Sequence, residues 1–363
     1  MPTGKTPERV ALRARSTRVH GHGPTSPAEV LRRAAEWCEE SGYDFDVYGT
    51  GPLIEDFEAR VAALLGFPAA RFMPTGKVAQ NVAMRAWAER AGTTHFGMPP
   101  TSHLELHEER AYAHLFGLRA TLVGPADRPL LAGDLEAVPE RLAALLVELP
   151  SREIGGQLPT WEELEELKGA AAARDVRLHL DGARLWESAA HYGRAYDEIC
   201  AGFDSVYVSF YKGIGGLSGA MLLGPESFVR ECEVWQIRAG GRLYTLAPNV
   251  ASAAMQFDER LARMPEYHGH AVAIAEAIGA VDGVATLPCV PHTNLMHVFV
   301  ERSFDAAHEA RDRVAEAHGL WLFDRASEAD APGHVRFEWY VGDAALALNP
   351  AALGACFAAL MAH

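Results

Sequence analysis

The stretch Ser205-Val-Tyr-Val-Ser-Phe-Tyr-Lys212-Gly-Ile-Gly-Gly-Leu-Ser-Gly219 decides how the chain is read. Its first half is an apolar run with β-branched and aromatic residues, the composition of a strand. Its second half is a glycine-dense turn, and the lysine stands where the strand stops. A lysine at a strand end, beside pliant backbone, can be desolvated, lose its proton and attack a carbonyl as an amine. A loop lysine is ordinarily just a solvated charge. Lysine is scarce here, however: only Lys5, Lys77, Lys168 and Lys212 occur. Lys5 lies in a terminal arm and Lys168 in a charged helix.

A matching element lies upstream, Arg177-Leu-His-Leu-Asp181-Gly-Ala-Arg184. This second strand ends in an aspartate followed by glycine. A strand-end lysine with a strand-end aspartate some residues earlier is what a pyridoxal phosphate (PLP) enzyme needs. The lysine forms a Schiff base, and the carboxylate keeps the pyridinium nitrogen protonated so that the ring can draw electrons.

Bulk properties agree with a metabolic enzyme. The chain has 363 residues, 49% apolar and 22% charged, ample for a large core and more than one domain. The net charge of -15, with no long basic cluster beyond the N-terminal arm, argues against nucleic-acid binding. Cys38, Cys200, Cys232, Cys289 and Cys356 are odd in number and widely spaced. They suggest reduced thiols in a cytoplasmic protein rather than disulfides or a zinc cluster. No HExxH pattern suggests a metal. No apolar run is long enough to span a membrane, and no secretory signal is evident.

Read in order, residues 1–25 are rich in Arg, Gly and Pro. Gly21, Gly23 and Pro24 argue against a regular element, so an arm is expected, loose or packed on a neighbouring subunit. Ser26-Pro27-Ala28-Glu29 caps a helix running to about Ser41. Leu53 to Leu65 is amphipathic and ends at Gly66. Arg71-Phe-Met-Pro74-Thr75-Gly76-Lys77 leads into a helix from Val78 to Arg90. A helix start of this kind offers N–H groups to a phosphate, although ordinary capping explains it equally. His103 follows a Pro99-Pro100 bend and reads as structural or catalytic.

Further strands are expected at Ala120 to Gly124, Leu145 to Leu149 and Gly219 to Gly224. Helices are expected at Asp134 to Leu142, Trp161 to Arg174, Leu185 to Tyr192, Pro225 to Arg238 and Ala247 to Arg263. Strands alternating with helices signal a predominantly parallel α/β sheet. From about residue 266 the pattern becomes a compact α+β unit that closes in a helix from Ala344 to Ala362. The expected organisation is an arm and helix (1–47), a large cofactor-binding domain (48–265) and a small C-terminal domain (266–363).

Taken together, the chain resembles the threonine aldolase and β-eliminating lyase family of fold type I PLP enzymes. The resemblance runs collinearly from about Asp46. It rests on Asp46-Val-Tyr-Gly49, Pro74-Thr-Gly76, His103 with Glu108, Asp181-Gly-Ala-Arg184, Lys212-Gly, Thr293-Asn294 and Val335-Arg336. It implies an α/β fold of the PLP-dependent transferase type, with a mostly parallel seven-stranded sheet and a small α+β domain.

The resemblance also implies residue roles. Lys212 is the Schiff-base lysine and Asp181 the partner of the ring nitrogen. His103 stacks on the ring near the substrate hydroxyl. Thr75, Gly76 and Lys77 hold the phosphate. Arg184, also beside the cofactor, and Arg336 take the amino-acid carboxylate, and Tyr48 reaches a neighbouring subunit's site in a homodimer or homotetramer. The implied activity is retro-aldol cleavage of a β-hydroxy-α-amino acid to glycine and an aldehyde. The alternatives are a PLP-dependent β-eliminating lyase or aminotransferase, or an inactive scaffold of the same fold.

The sequence departs from the family pattern in places. His20-Gly-His-Gly-Pro replaces an N-terminal Ser-Asp-Thr segment. Tyr211 stands before the lysine where a small hydroxyl residue is usual, and Lys77 replaces a threonine. Pro150-Ser-Arg152-Glu153 replaces an Asn-Thr-His segment. Arg152 is then either a solvated turn residue or a substrate-binding fork for a second carboxylate.

Overall fold

A computed structural model describes residues 6–23 and 25–362. The chain divides into two units. The larger comprises Ser26–Glu153 and Leu158–Ala262. The smaller takes the described residues up to Thr25, the stretch Ile154–Gln157 and the described residues from Arg263 on.

Seven strands form the sheet of the larger unit: β1 (Ala69–Met73), β2 (His95–Met98), β3 (Arg119–Leu122), β4 (Ala144–Glu148), β5 (Arg177–Gly182), β6 (Ser205–Ser209) and β7 (Ala220–Gly224). Their spatial order is β1-β7-β6-β5-β4-β2-β3. The pairs from β6 through β3 are parallel, and β7 is antiparallel to both β1 and β6. Every residue of β4, β6 and β7 is buried. A sheet covered on both faces makes strands read as unbroken apolar runs. The chain is thus an α/β protein with a mostly parallel seven-stranded sheet.

The reversal of β7 has a local cause. Only residues 210–219 separate it from β6, and a parallel return needs a crossover of a dozen residues or more. The lysine-bearing segment is therefore a turn between two antiparallel strands. Gly219 closes it at φ 109°, where a Cβ would come within 2.2 Å of the Phe72 ring. Phe210 opens it, stacked on Phe72 at 5.8 Å between centroids and packed against Phe57, Trp186 and Phe257. The Phe210 N–H donates to the Gly219 carbonyl at 3.0 Å.

In the smaller unit, β8 (Val284–Leu287), β9 (Leu295–Val300), β10 (Ser327–Glu328) and β11 (Val335–Tyr340) make an antiparallel sheet in the order β10-β11-β9-β8. Thr293-Asn294 serves this unit's own frame. The Thr293 hydroxyl accepts from the Leu295 N–H at 3.2 Å, and Asn294 Nδ2 donates to the Val341 carbonyl at 2.7 Å. Arg336 lies in β11 opposite Phe299.

The expected irregular arm is corrected by the structure. Pro7–Arg15 is a helix, capped by the Thr6 hydroxyl, with Pro7 in its first turn and Arg13 and Arg15 in its last. Leu12 is buried with Ala315 and Trp321. Arg9 and Arg13 bond Asp312 and Asp324, each at 2.6 Å, and Thr17–Arg18 pairs in parallel with Leu320–Trp321. These partners lie some three hundred residues away, beyond the reach of a local reading. Lys5 and Pro24 lie outside the described residues.

Several helices are shorter than expected. The helix at Ala132–Glu136 stops ahead of Pro139. The expected Leu185–Tyr192 helix is a 3₁₀ turn, Leu185–Glu187, followed by Ala189–Tyr192. Ala247–Ala254 and Phe257–Gly279 are separate helices. The last helix is split by Asn349-Pro350, where Asn349 caps the Ala351 N–H at 2.8 Å. His103, after the Pro99-Pro100 bend, starts a short helix, His103–Leu106. β1 was not expected, since Ala69-Ala-Arg-Phe-Met73 lacks a clean alternation.

Candidate active site

The carboxyl ends of β4, β5 and β6 bring the chemistry together. β5 ends on Asp181-Gly182, β4 on Glu148, and Lys212 is the third residue of the turn after β6. In parallel α/β sheets ligands gather at these ends, because the connecting loops diverge there. His103, Glu148, Arg152, Asp181, Arg184 and Lys212 line one small cleft, floored by Pro150 and Ala183. A wider groove beside Trp87, Arg90 and Arg177 lies at the opposite ends of the strands and contains no lysine.

The turn carrying Lys212 is fixed from both sides. Trp186 Nε1 donates to the Ser209 carbonyl at 2.9 Å, and the Ser209 hydroxyl donates to the Ala183 carbonyl at 2.8 Å. The end of β6 is thereby tied to the Asp181-Gly-Ala-Arg184 loop. Within the turn, the Gly215 N–H donates to the Lys212 carbonyl at 3.0 Å.

Lys212 is half-buried. Burial, with the cations of Arg184 and Arg152 nearby, lowers its amine to about 8 against the opposing pull of Asp181 and Glu187. Asp181 is buried, and its Oδ1 accepts the Ala183 N–H at 3.0 Å. Burial raises its carboxyl, while Lys212, the Ala183 N–H, His103 and Gln80 pull the other way.

His103 is oriented by a chain of bonds. Its Nδ1 lies 3.1 Å from Glu108 Oε1, and Glu108 Oε2 accepts from Asn81 Nδ2 at 2.9 Å. With Nδ1 held by a buried carboxylate, Nε2 is left as the working nitrogen. His107 stands beside it, its ring 5.1 Å away, and bonds Glu153 at 2.7 Å. Arg152 Nη1 donates to the same Glu153 oxygen at 2.5 Å.

Thr75 and Gly76 start the helix Gly76–Ala91, with the Thr75 hydroxyl accepting from the Val78 N–H at 3.2 Å. Gly76 has a specific reason to be glycine. A Cβ there would lie 2.0 Å from the Tyr207 hydroxyl. Tyr207, from β6, lies 3.5 Å from Tyr211 between hydroxyls. These contacts place the helix start next to the lysine turn. Lys77 itself turns outward: its Nζ reaches the His107 carbonyl at 3.3 Å, and it lines a separate groove with Leu115 and Trp235.

Tyr48 does not line the cleft. It sits at φ 52° in a loop strapped down by buried Asp46, whose carboxylate accepts from the Gly49 and Leu246 N–H groups and from Thr245 Oγ1. Arg242 lies over the Tyr48 ring at 5.1 Å.

Sequence reasoning missed Glu148, Tyr207 and Glu187. Glu148 carried a visible signal: like Asp181, it is an acid closing an otherwise apolar buried strand. Tyr207 and Glu187 sit among ordinary core residues and gave none. Among the described residues no cluster of three or more His, Cys, Asp or Glu side chains could hold a metal ion.

The model of the β-eliminating lyase family matches residues 24–303. The chain belongs to that family. The chain is 23% identical to low-specificity L-threonine aldolase 1 of Arabidopsis thaliana, over 85% of this chain and 88% of that one. It is 38% identical to a Listeria monocytogenes EGD-E protein provisionally described as an L-allo-threonine aldolase. That structure covers 97% of each chain with a TM-score of 0.91. A solved structure of SPT with PLP, 16% identical with a TM-score of 0.68 over 96% of this chain and 86% of that one, shares the fold alone.

Membership of the β-eliminating lyases implies use of PLP, and the residues present fit it. A depressed lysine amine, a buried carboxylate one strand away and a helix start kept bare at Gly76 suit an aldehyde, a ring nitrogen and a phosphate respectively. No helix among the described residues is long and apolar enough to cross a membrane.

Proposed function

We propose that this protein cleaves the Cα–Cβ bond of a β-hydroxy-α-amino acid, releasing glycine and an aldehyde. The convergence of Lys212, Asp181 and His103 on one cleft carries this reading, and its relatives named as threonine aldolases support it. PLP, when bound, supplies an electron sink for the pair left at Cα as the bond breaks.

The chain's own residues do the rest. Lys212 Nζ would hold the cofactor through its aldehyde; with its amine lowered to about 8, roughly a tenth is neutral and nucleophilic at pH 7. Asp181 would hold the proton on the ring nitrogen. The helix start at Thr75 and Gly76 would take the phosphate. Arg184 binds the substrate carboxylate through its fork. His103, held through Nδ1 by Glu108, accepts the β-hydroxyl proton at Nε2, and the aldehyde leaves. A proton returned to Cα completes glycine.

Arg152 lines the cleft with these groups, which supports the reading in which it binds a second, distal carboxylate. An acidic β-hydroxy amino acid should then be preferred over threonine. A hydrogen bond to a charged group contributes about 1.5–3 kcal/mol, so Arg152→Ala should lower kcat/KM for the acidic substrate by about 10- to 100-fold. Threonine should be little affected. A substrate panel read for glycine and aldehyde, beside pyruvate and ammonia, checks both this and the reaction type. Threonine preferred over every larger or acidic analogue, unchanged in Arg152→Ala, would refute the second-carboxylate role.

Assembly is a second expectation. Phe45, Val47, Tyr48, Leu243 and Tyr244 are exposed. Tyr48 and Tyr244 are joined by an N–H···O bond of 2.8 Å and an edge-on ring contact. Such an apolar patch suits a second copy of the chain, with Tyr48 serving the partner's cleft in a dimer or tetramer. Light scattering should show at least a dimer, and Tyr48→Ala should weaken it. A fully active monomer would contradict a shared site.

A further inference from the structure

In the β4–β5 ladder Glu148 stands directly opposite Asp181. They are 8% and 4% exposed, and both line the cleft. Glu148 Oε1 accepts the His103 backbone N–H at 2.9 Å, so this acid also sets the start of the helix that carries the histidine. Lys212 acts on both carboxyls. Glu153 faces Glu148, while His103 and Gln80 face Asp181. Arg184, Arg152 and Glu187 surround Lys212 in turn.

We propose that Glu148 is a positioning residue that carries the one proton of a Glu148–Asp181 pair: neutral, it holds the His103 backbone and leaves the pair's single negative charge to Asp181. Two carboxylates side by side in a water-poor cleft do not both ionise, because each charge raises the cost of the other. Asp181 is the member that keeps the charge. The His103 N–H favours charge on Glu148, but one neutral donor does not offset a cation, and the Lys212 cation is the strongest charge drawing on Asp181. A cationic ring nitrogen would add to that bias, and in this the inference rests on the PLP reading above. Burial and the Asp181 charge together raise Glu148 to about 8.

The sign follows from that value. Unfolded, Glu148 releases its proton near an ordinary 4.5; folded, it keeps it until about 8. The unfolded state therefore holds fewer protons between these limits, and the chain loses stability as pH rises through the window. Glu148→Gln, which keeps the shape and the acceptor but cannot ionise, should remove that loss.

The experiment measures PLP Kd by fluorescence titration of the full chain, at about pH 6.5 and about pH 9. The ratio of the two Kd values should be about tenfold larger for wild type than for Glu148→Gln. The Tm of the variant should also fall less between the same two pH values. An unchanged ratio and an unchanged Tm difference would overturn the shared proton. Should the variant not fold, infrared difference spectra of the wild-type chain decide. Glu58 and Glu187 also hold raised carboxyls, so the band is assigned by its shift in Glu148→Asp: a band so assigned and lost between about pH 7 and about pH 9 supports the pair, and no such band at either pH refutes it. Wild type that binds no PLP at all would sink the proposed function, while the Tm and infrared readings would still report on the pair.

Discussion

Lys212→Ala is expected to abolish covalent capture of PLP and reduce turnover by about 10²–10⁴-fold or more, the range of a lost nucleophile or general base. Borohydride should fix the cofactor to Lys212 in the wild-type chain, and peptide mapping should find the label there alone. The effect should be large because nothing nearby can substitute. The other lysines among the described residues are engaged elsewhere: Lys168 with Glu165 and the Ile199 carbonyl, Lys77 with the His107 carbonyl. The substitution should leave the fold intact, since Phe210 and Gly219 rather than Lys212 hold the turn. A borohydride-stable adduct on another residue of the variant would show that the site has been placed wrongly.

Asp181→Ala should cost nearly as much by a different route. The variant should still bind PLP through Lys212, but the ring nitrogen would lose its only carboxylate partner on β5. Breaking a buried charge pair costs roughly 3–5 kcal/mol, or about 10²–10⁴-fold in rate if the whole penalty falls on the barrier. Absorbance spectra of the loaded variant, with kcat from glycine release, measure the two parts separately. Turnover within about tenfold of wild type, a loss under about 1.4 kcal/mol, would assign the electron-withdrawing role to another group.

Much of this arrangement was legible in the sequence because it is built from strand ends. The runs ending at Asp181 and before Lys212 are apolar, buried and bounded by glycine, so their identity and order survive a purely local reading. Register is not local. Nothing in Leu145-Leu-Val-Glu148 shows that Glu148 will face Asp181 across a ladder, and the reversal of β7 was not anticipated, although the short turn before it accounts for it once seen.

The N-terminal helix was misread for a related reason. Its stabilising partners, Asp312, Asp324 and Trp321, come from the far end of the chain, while the nearby Gly21, Gly23 and Pro24 dominated the local signal. Arg336 illustrates a further limit. A motif can fix a residue's element, here β11, without fixing what that residue meets.

The antiparallel turn between β6 and β7 also determines how freely the lysine can move. Local opening in proteins begins where few buried contacts hold the backbone and reaches the core strands last. Lys212 is flanked by two fully buried strands, and its first anchor, the Phe210 amide, lies under the aromatic cluster of Phe57, Phe72, Trp186 and Phe257. In hydrogen-exchange terms, that amide belongs with the slowest-exchanging set, released only when the sheet as a whole comes apart. Leu217 is exposed, yet its N–H donates to the buried Ser252 hydroxyl at 3.0 Å, a second tie on the turn. Under the proposed reaction, the side chain that would form and break bonds is thus mounted between two buried strands, and the motion that turnover needs would fall to the lysine's own methylene chain.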